Sequence, residues 1–197
     1  MENNLSHLDL PETTMTHRNI ILSKPFLKRI YFDWYSDFKK FSELQPIKGK
    51  VVEIGSGGGF LKEIYPSVIT SDIMPLSVCD MQFSAHEMPF ENNSLKAIFM
   101  LNVLHHIPDN EQFLQEAQRT LQKGGFIYMI EPANTFFSRF IYKNFHHEPF
   151  DETVADWKFE SKGPLSDANG TIPWMIFKRD LKKFNQLFVL DSVRPRP

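Results

Sequence analysis

A short β-branched run that leads directly into glycines constrains the fold of this chain more than any other feature. Residues 51–54 (VVEI) are typical of a strand, and the sequence GSGGG follows at 55–59. Glycine lets the backbone turn sharply and lets a ligand approach the bare main chain. Backbone N–H groups at the start of a following helix can then face polar atoms of that ligand. The pattern predicts a strand–turn–helix unit with a ligand site at the turn.

The alternation of strand and helix continues after this turn. We expect strands at 51–54, 68–73, 95–103 and 126–132, and helices at 60–66 and 110–123. Gly124 and Gly125 are predicted to end the second of these helices, as C-terminal glycines do. Alternating elements of this kind are typical of an α/β, doubly wound, mostly parallel sheet. Ligands of such sheets bind at the carboxyl ends of the strands.

The segments on either side of this pattern have a different character. Residues 1–45 are predicted to form an N-terminal helical cap, and residues 46–197 the main domain. The polar start, as far as about Asn19, is expected to be loosely docked. Aromatic residues at helical spacing between Ile20 and Leu44 predict one or two amphipathic helices, which either cover the core or form a wall of a substrate pocket.

An insertion at 134–174 is rich in aromatic residues, Pro, Gly and His and lacks a clear period. Long irregular insertions are usually functional or disordered, and the aromatic content argues against disorder. Its composition suits a lid that excludes water and a packed surface loop equally well. A helix at 179–188 and a strand at 189–195 are expected to follow it.

Composition excludes several classes of protein. The formal net charge is −2 and no basic run is present, so no nucleic-acid partner is expected. The single cysteine, Cys79, excludes an intramolecular disulfide. The polar start is not a secretory signal, and no segment has the roughly 20 apolar residues of a membrane span. We therefore expect a cytoplasmic protein without a membrane span.

Two acidic residues restrict the classes of ligand that the glycine turn can bind. Glu53, before the first glycine, would repel a pyrophosphate but suits a ligand with an ammonium group and a sulfonium. A dinucleotide site also needs a further glycine where Phe60 stands, which disfavours a dehydrogenase or epimerase. Asp72, at the end of the next predicted strand, can accept both hydroxyls of a ribose. Alternatively, Asp72 caps a helix or stabilises a turn and does not contact a ligand.

From residue 50 to residue 132 the chain resembles the class I S-adenosylmethionine-dependent methyltransferases of the type 11 group. Three blocks match in order, namely EIGSGGG, SAHEMPF, and LNVLHHIPD followed by LQKGGFIYMIEP. The resemblance implies a Rossmann-like methyltransferase fold with a seven-stranded-type sheet and an insertion after the fifth strand. Members usually close the sheet with an antiparallel hairpin, of which only the first strand is expected here. The sheet either lacks its last strand or closes differently.

The resemblance also implies which residues bind the cofactor. They are Glu53, Gly55, Ser56, Gly57, Gly59, Asp72, Ile73, Met74, Ser84, Ala85, His86, Leu101 and Asn102. By this resemblance Ile73 and Met74 would pack on the adenine, and Ala85 and His86 would line its edge. Many relatives carry an acid where Ser84 stands, so a hydroxyl or a backbone group must bind the adenine amino group.

A second departure is Leu95-Lys96, where many relatives have a Phe-Asp pair. That aspartate is mainly structural in the family, so its loss is expected to be neutral for catalysis. Leu101 and Asn102 would offer backbone atoms near the ammonium and the sulfur of the methionine part.

The implied activity is methyl transfer from S-adenosylmethionine to a small-molecule acceptor, with S-adenosylhomocysteine as product. The acceptor atom would be an oxygen or a nitrogen, attacked by direct displacement. A general base is needed only for a hydroxyl or a protonated amine. His106, His105 and His147 are the candidates for it, since histidine titrates near neutrality. A catalytically silent cofactor-binding or partner module of the same fold is the alternative.

The sequence HHEPF at 146–150 raises the question of a metal site. Adjacent histidines usually point apart, and no further Cys or Asp completes a shell, so no metal is predicted. His147 and Glu148 are expected to bind the acceptor or to anchor the loop. No Asn-Pro-Pro-aromatic motif follows the fourth strand, as base-flipping enzymes would require. The identity of the acceptor and the choice between monomer and dimer stay open.

Overall fold

The computed structural model of the chain describes residues 6–146 and 148–194, without the side chain of Lys143. Its centre is a parallel five-stranded sheet in the order β3-β2-β1-β4-β5. The strands are β1 (Lys50–Ile54), β2 (Ile69–Asp72), β3 (Met81–Gln82), β4 (Leu95–Leu101) and β5 (Leu121–Ile130). The predicted α/β, doubly wound class is confirmed, and β3 is the strand that the sequence did not indicate.

Helices precede, separate and follow the strands. They are α1 (Pro11–Ser23), α2 (Pro25–Leu44), α3 (Leu61–Ile64), α4 (Asn110–Thr120), α5 (Phe136–Phe145), α6 (Ile172–Trp174) and α7 (Leu181–Phe184). The first two begin with proline, whose fixed φ and missing N–H suit the first helical position. The Asp109 carboxylate caps α4 by accepting from the Gln112 amide at 3.0 Å. Single 3₁₀ turns occupy His7–Asp9 and Leu104–His106, and Met175–Arg179 is π-helical.

The sheet is buried on both faces because its side chains alternate between two cores. One core joins the sheet to α2 and α3 and includes Val51, Ala97, Phe99, Tyr35, Phe38 and Leu61. The other joins the sheet to α4 and to the C-terminal segment and includes Val52, Ile98, Met100, Phe113, Leu114, Trp157 and Ile176. A parallel sheet covered on both faces is the arrangement expected of a doubly wound fold.

The border between α4 and β5 differs from the prediction. The helix ends at Thr120 rather than Lys123, and Leu121 already pairs with Leu95 of β4. Gly124, at φ +79°, lies within β5 where the register with β4 shifts. The glycines therefore form an irregularity inside a strand and do not end a helix.

The N-terminal segment is docked, contrary to the expectation of a loose start. Asp9 is buried, and its Oδ1 accepts from the amides of Leu165 and Ser166 at 2.8 and 2.9 Å. Thr13 and Thr14 of α1 are buried as well. The carboxylate of Asp9 finds its donors in the distant insertion, a partnership that no local pattern reveals. Residues 1–5 lie outside the described part of the chain.

Lys96, at one of the departures from the family pattern, has a structural role. Its side chain is buried in the middle of the sheet, and Nζ donates to the carbonyl of Ser42 at 2.8 Å. A second acceptor, the carbonyl of Gln45, lies at 3.5 Å. A lysine that satisfies the last carbonyls of a helix stabilises its C-terminus. Lys96 therefore ties the end of α2 to β4.

The insertion contains regular structure and packs against the rest of the protein. It contains α5, which begins with a capping box between Thr135 and Ser138. Trp157 is fully buried and donates from Nε1 to Asp180 Oδ2 at 2.8 Å. The helix expected at 179–188 is reduced to α7, and residues 189–194 form no strand. The closing hairpin strand is therefore absent from the part of the chain that the structure describes.

Candidate functional site

The glycine turn lies at the carboxyl end of β1, between the ends of β2 and β4. Gly55 has φ +63°, and a Cβ there would lie 2.6 Å from Cγ2 of Val103. Any other residue would therefore meet both backbone strain and the side chain that follows β4. The turn is held at the edge of the sheet where doubly wound folds bind ligands.

Hydrogen bonds bring the two predicted acids to this turn. Ser56 Oγ donates to Glu53 Oε2 at 2.8 Å. The amide of Gly57 donates to Asp72 Oδ2 at 2.9 Å, and the amide of Met74 donates to Oδ1 at 2.9 Å. Asp72 therefore fixes the turn through its backbone contacts. Since each carboxylate oxygen has two lone pairs, both can still accept from a ligand.

Glu53 is the most perturbed group of the site. Its side chain is 1% exposed, and burial raises its pKa to about 8. The hydroxyl groups of Ser56 and Tyr35 oppose this shift, and the charge of Asp72 adds to it. Within the described residues, Oε1 of Glu53 is buried and forms no hydrogen bond of normal length, although the hydroxyl of Tyr35 is near enough to affect the pKa of the group. A buried carboxylate oxygen without a donor is unfavourable, so this atom requires an N–H group or a cation.

The glycines of the turn have different reasons to lack a side chain. At Gly57, with φ +47°, a Cβ would point into open space, 3.9 Å from the nearest atom. At Gly58 it would lie 2.9 Å from the backbone nitrogen of Arg18 in α1. At Gly59 it would overlap the hydroxyl of Tyr35. Gly57 alone therefore leaves room for a ligand, while Gly58 and Gly59 make room for helices of the protein itself.

The remaining predicted cofactor residues surround the same edge. Ile73, directly after β2, is 53% exposed although it is apolar, whereas Met74 is buried. Asn102, after Leu101 at the end of β4, is exposed and has φ +56°. Its amide donates to the carbonyl of Ile130 at 2.8 Å. An exposed apolar side chain beside two buried acids is the kind of surface that a nucleobase can cover.

Ser84, Ala85 and His86 are partly buried on the loop after β3. The hydroxyl of Ser84 accepts from the amide of His86 at 3.2 Å, so it acts within its own loop. The ring of His86 is bound to the carbonyl of Asp109 through Nε2 at 3.0 Å. These contacts attach the loop that follows β3 to the residue before α4.

A second polar cluster lies beyond the end of β4, on the 3₁₀ turn Leu104–His106. Glu131, just after β5, accepts from the amides of Val103 and Leu104 at 2.8 Å each. Its other oxygen is 2.7 Å from Nδ1 of His105. The sequence analysis missed Glu131, although an acid at the end of a predicted strand of such a sheet was a usable signal.

Two predicted histidines and Glu148 meet in this cluster. Nε2 of His105 and Nε2 of His106 each lie 3.6 Å from a carboxylate oxygen of Glu148. Nδ1 of His106 is 3.1 Å from the carbonyl of Asp167. His147, the third candidate for a general base, lies outside the described residues.

The pKa values of His105 and His106 are shifted in opposite directions. Burial lowers the pKa of His105, but the hydrogen bond and the charge of Glu131 outweigh it, so the pKa is raised. Burial lowers the pKa of His106, and the neighbouring His105 lowers it further. The pKa of His106 therefore lies below that of His105.

Cys79 is not a nucleophile at neutral pH. Burial raises its pKa to about 12, and the charges of Asp72 and Glu53 contribute. Reactivity requires the thiolate, and a thiol with such a pKa stays protonated. Cys79 is therefore a partly buried thiol that packs as a small apolar residue.

None of the helices in 6–146 and 148–194 combines the length and apolarity needed to cross a bilayer.

Comparison with known proteins identifies the domain. The sequence model of the methyltransferase domain family matches residues 52–129. No curated protein matches the sequence. The fold matches a candidate S-adenosylmethionine-dependent methyltransferase from Methanococcus maripaludis, with a TM-score of 0.51, 19% identity, and coverage of 73% of this chain and 76% of that one.

Two further solved structures match more weakly. An S-adenosylmethionine-dependent methyltransferase from Thermotoga maritima is 26% identical over 58% of this chain and 57% of its own, with a TM-score of 0.46. A candidate methyltransferase from Bacillus halodurans is 21% identical over 77% and 64%, with a TM-score of 0.44. In four of the matched structures the alignment spans between 43% and 57% of the solved protein. Residues 52–129, less than half of the chain, thus match a methyltransferase domain, and the fold resembles that of a candidate S-adenosylmethionine-dependent methyltransferase.

Proposed function

We propose that the protein is an enzyme that transfers a methyl group from S-adenosylmethionine to a small-molecule acceptor with an oxygen or nitrogen nucleophile. The observation that carries this proposal is Oε1 of Glu53, a buried carboxylate oxygen without a donor at the glycine turn. S-adenosylmethionine bears an ammonium group, which supplies both the N–H and the positive charge that this oxygen lacks.

Three features of the site fit this cofactor. Glu53 would bind its ammonium group, and Asp72 would accept the ribose hydroxyls beside its backbone contacts. The open space at Gly57 allows the ligand to lie against the main chain, and the exposed side chain of Ile73 would cover one face of the adenine. We expect Ser84, Ala85 and His86 to line its edge, and Leu101 and Asn102 to flank the methionine part.

The cofactor supplies an electrophilic methyl group on a sulfonium, which is the difficult part of the chemistry. The protein then has to align the acceptor and exclude water. The cluster of His105, His106 and Glu148 follows β4 and borders the same edge of the sheet. We assign this cluster to the acceptor side, where a hydroxyl or an ammonium group of the acceptor must lose a proton before transfer.

Calorimetry tests the cofactor site directly. We expect S-adenosylhomocysteine to bind the intact protein with micromolar affinity, and Asp72→Asn to weaken binding at least tenfold, equivalent to about 1.4 kcal/mol. Asparagine keeps one oxygen for one of the two backbone contacts but loses the charge and the second acceptor. Asp33→Asn is a matched control, since Asp33 pairs with Arg29 on the exposed side of α2.

Absence of binding by the intact protein would overturn the proposed function. Equal affinity of the Asp72→Asn variant would remove Asp72 from the ribose site. Tight binding without product from a broad panel of hydroxyl and amine acceptors would instead support the catalytically silent alternative.

A further inference from the structure

Three metal-ligating side chains converge on the acceptor side of the proposed site. His105, His106 and Glu148 each offer one donor atom, and these atoms lie within 4.8 Å of one another. The two distances that involve Glu148 are both 3.6 Å, which is too long for a hydrogen bond. Donors held about 2.1 Å from one ion at a tetrahedral angle are about 3.4 Å apart. The spacing therefore resembles that of ligands around an ion more than that of bonded partners.

The tautomers of the two histidines point their lone pairs at the same place. Nδ1 of His105 faces the carboxylate of Glu131 at 2.7 Å, and Nδ1 of His106 faces the carbonyl of Asp167 at 3.1 Å. Because both partners are acceptors, each Nδ1 carries the hydrogen and each neutral ring keeps its lone pair on Nε2. Both of these nitrogens face the oxygens of Glu148. Lone pairs that converge on a carboxylate repel one another, and either a proton on one ring or a cation between them removes this repulsion.

The charges around the cluster are also unbalanced. The side chains of Glu131 and Glu148 are 5% and 11% exposed, and in the described structure neither forms an ion pair with a lysine or an arginine. Among the described residues, the groups of positive type near these two carboxylates are the imidazoles of His105, His106 and, at 3.8 Å from Glu148, His146. A divalent ion would neutralise this excess, as bound cations do in other polar sites.

The backbone around these ligands is fixed by the insertion. The carbonyl of His105 accepts from the amide of Asn169 at 2.9 Å, and the carbonyl of Pro149 accepts from the amide of Gly170 at 3.0 Å. The side chain of His105 is 3% exposed, and that of His106 is 14% exposed. A rigid set of donors that solvent can still reach is what a binding site for an ion requires.

We propose that His105, His106 and Glu148 bind a divalent transition-metal ion of the zinc class. Two histidines and one glutamate are a ligand set of catalytic zinc sites, in which a fourth position stays open. Glu131 and the carbonyl of Asp167 act as the outer partners that orient metal-binding histidines. The absence of a metal expected from the sequence rested on His146 and His147, whereas the proposed site uses the histidines that follow β4.

The role of this ion rests on the proposed function. Its open position takes an oxygen of the acceptor and lowers the pKa of that oxygen, which is a general effect of bound metal ions. An imidazole nitrogen that binds a metal has no lone pair left for a proton. The ion therefore replaces the general-base role expected for His106 and His105.

Metal titration of the intact protein after treatment with a chelator tests the proposal without any cofactor. We expect one equivalent of Zn²⁺ by calorimetry and by elemental analysis of the desalted protein. Co²⁺ is expected to give the visible absorption bands of a tetrahedral site. Glu148→Gln is expected to weaken Zn²⁺ binding at least tenfold. Glu152→Gln is the control, because Glu152 belongs to the same segment but pairs with Arg139.

His106→Gln provides a second variant with the same expected loss if Glu148→Gln does not fold. Sub-stoichiometric Zn²⁺ in the wild-type protein, or unchanged affinity in the folded variant, would overturn the proposal and leave only adventitious binding by surface histidines. Binding of S-adenosylhomocysteine is measured on the same samples. A failure of the metal site is thereby distinguished from a failure of the cofactor site.

Discussion

Gly59→Ala is expected to destabilise the protein by about 1–3 kcal/mol, in the range of overpacked cores. The added methyl group would overlap the hydroxyl of Tyr35 and lie 2.9 Å from the carbonyl oxygen of Ser56. Tyr35 cannot move cheaply, because it is 1% exposed and packs against Phe60 and Phe38. Denaturant unfolding, compared at equal slope, measures this loss.

Gly57→Ala is the matched comparison, with the opposite pattern of effects. The new methyl group meets no atom of the protein within 3.9 Å, so only the left-handed backbone is strained, at a cost of about 1 kcal/mol. The same methyl group would occupy the space proposed for the cofactor. We expect the affinity for S-adenosylhomocysteine to fall at least thirtyfold, equivalent to about 2 kcal/mol. Equal affinity in the Gly57→Ala variant would show that the ligand does not approach this part of the turn.

Glu53 is expected to make the ligand-free protein less stable as the pH rises. Its pKa is about 8 in the folded protein, against 4.5 for an exposed glutamate. Between these values the folded state holds more protons than the unfolded state, so the free energy of unfolding falls with rising pH. Above about pH 8 this contribution no longer changes. Each unit of pKa difference is worth about 1.4 kcal/mol, so the total effect of this one carboxyl is large.

The Glu53→Gln variant isolates this effect. Glutamine keeps the shape of the side chain and an oxygen for the Ser56 hydroxyl but does not titrate. Asp72, whose pKa burial also raises, remains in both proteins. We expect urea unfolding between pH 5 and pH 9 to show a flatter profile for Glu53→Gln, with greater stability than the wild type at pH 8 and above. Parallel profiles would contradict this expectation, and Glu87→Gln, at an exposed position, serves as the control.

The same variant is expected to bind the cofactor less tightly. The proposed partner of Oε1 is a cation, and a neutral amide cannot balance its charge. If the Glu53→Gln variant is more stable than the wild type without ligand but binds the ligand more weakly, then the charge of Glu53 lowers the stability of the free protein and strengthens ligand binding.

The sequence predicted the strands and the glycine turn between residues 51 and 72 well because their signals are local. A β-branched run such as 51–54 is followed by glycines, and the next predicted strand ends at an acid. Parallel pairing then brings the carboxyl ends of β1, β2 and β4 to one edge of the sheet. The residues that follow these strands in the sequence therefore lie close together in space.

Elsewhere, contacts between distant segments overrode the local pattern. Residues 121–123 fit a helical period, but Leu121 pairs with Leu95, and that strand contact decides the structure. Helix α5 escaped detection because it is short and lies in an insertion without a clear period, although its polar and apolar residues lie on different faces. The meeting of Glu148 with the histidines after β4 depends on how an aperiodic insertion folds back.

Asp9 links the two ends of the chain in a way that bears on how relatives should be compared. Its carboxylate holds the amides of Leu165 and Ser166, next to Asp167, whose carbonyl positions His106. Asp9, Glu148 and residues 165–167 lie outside the segment that matches the family, residues 52–129, whereas His106 lies within it. Under the proposed function, two proteins can therefore share the matched segment almost unchanged and still select different acceptors. Substitutions at Asp9 and in the insertion would then alter the choice of acceptor while the glycine turn stays the same.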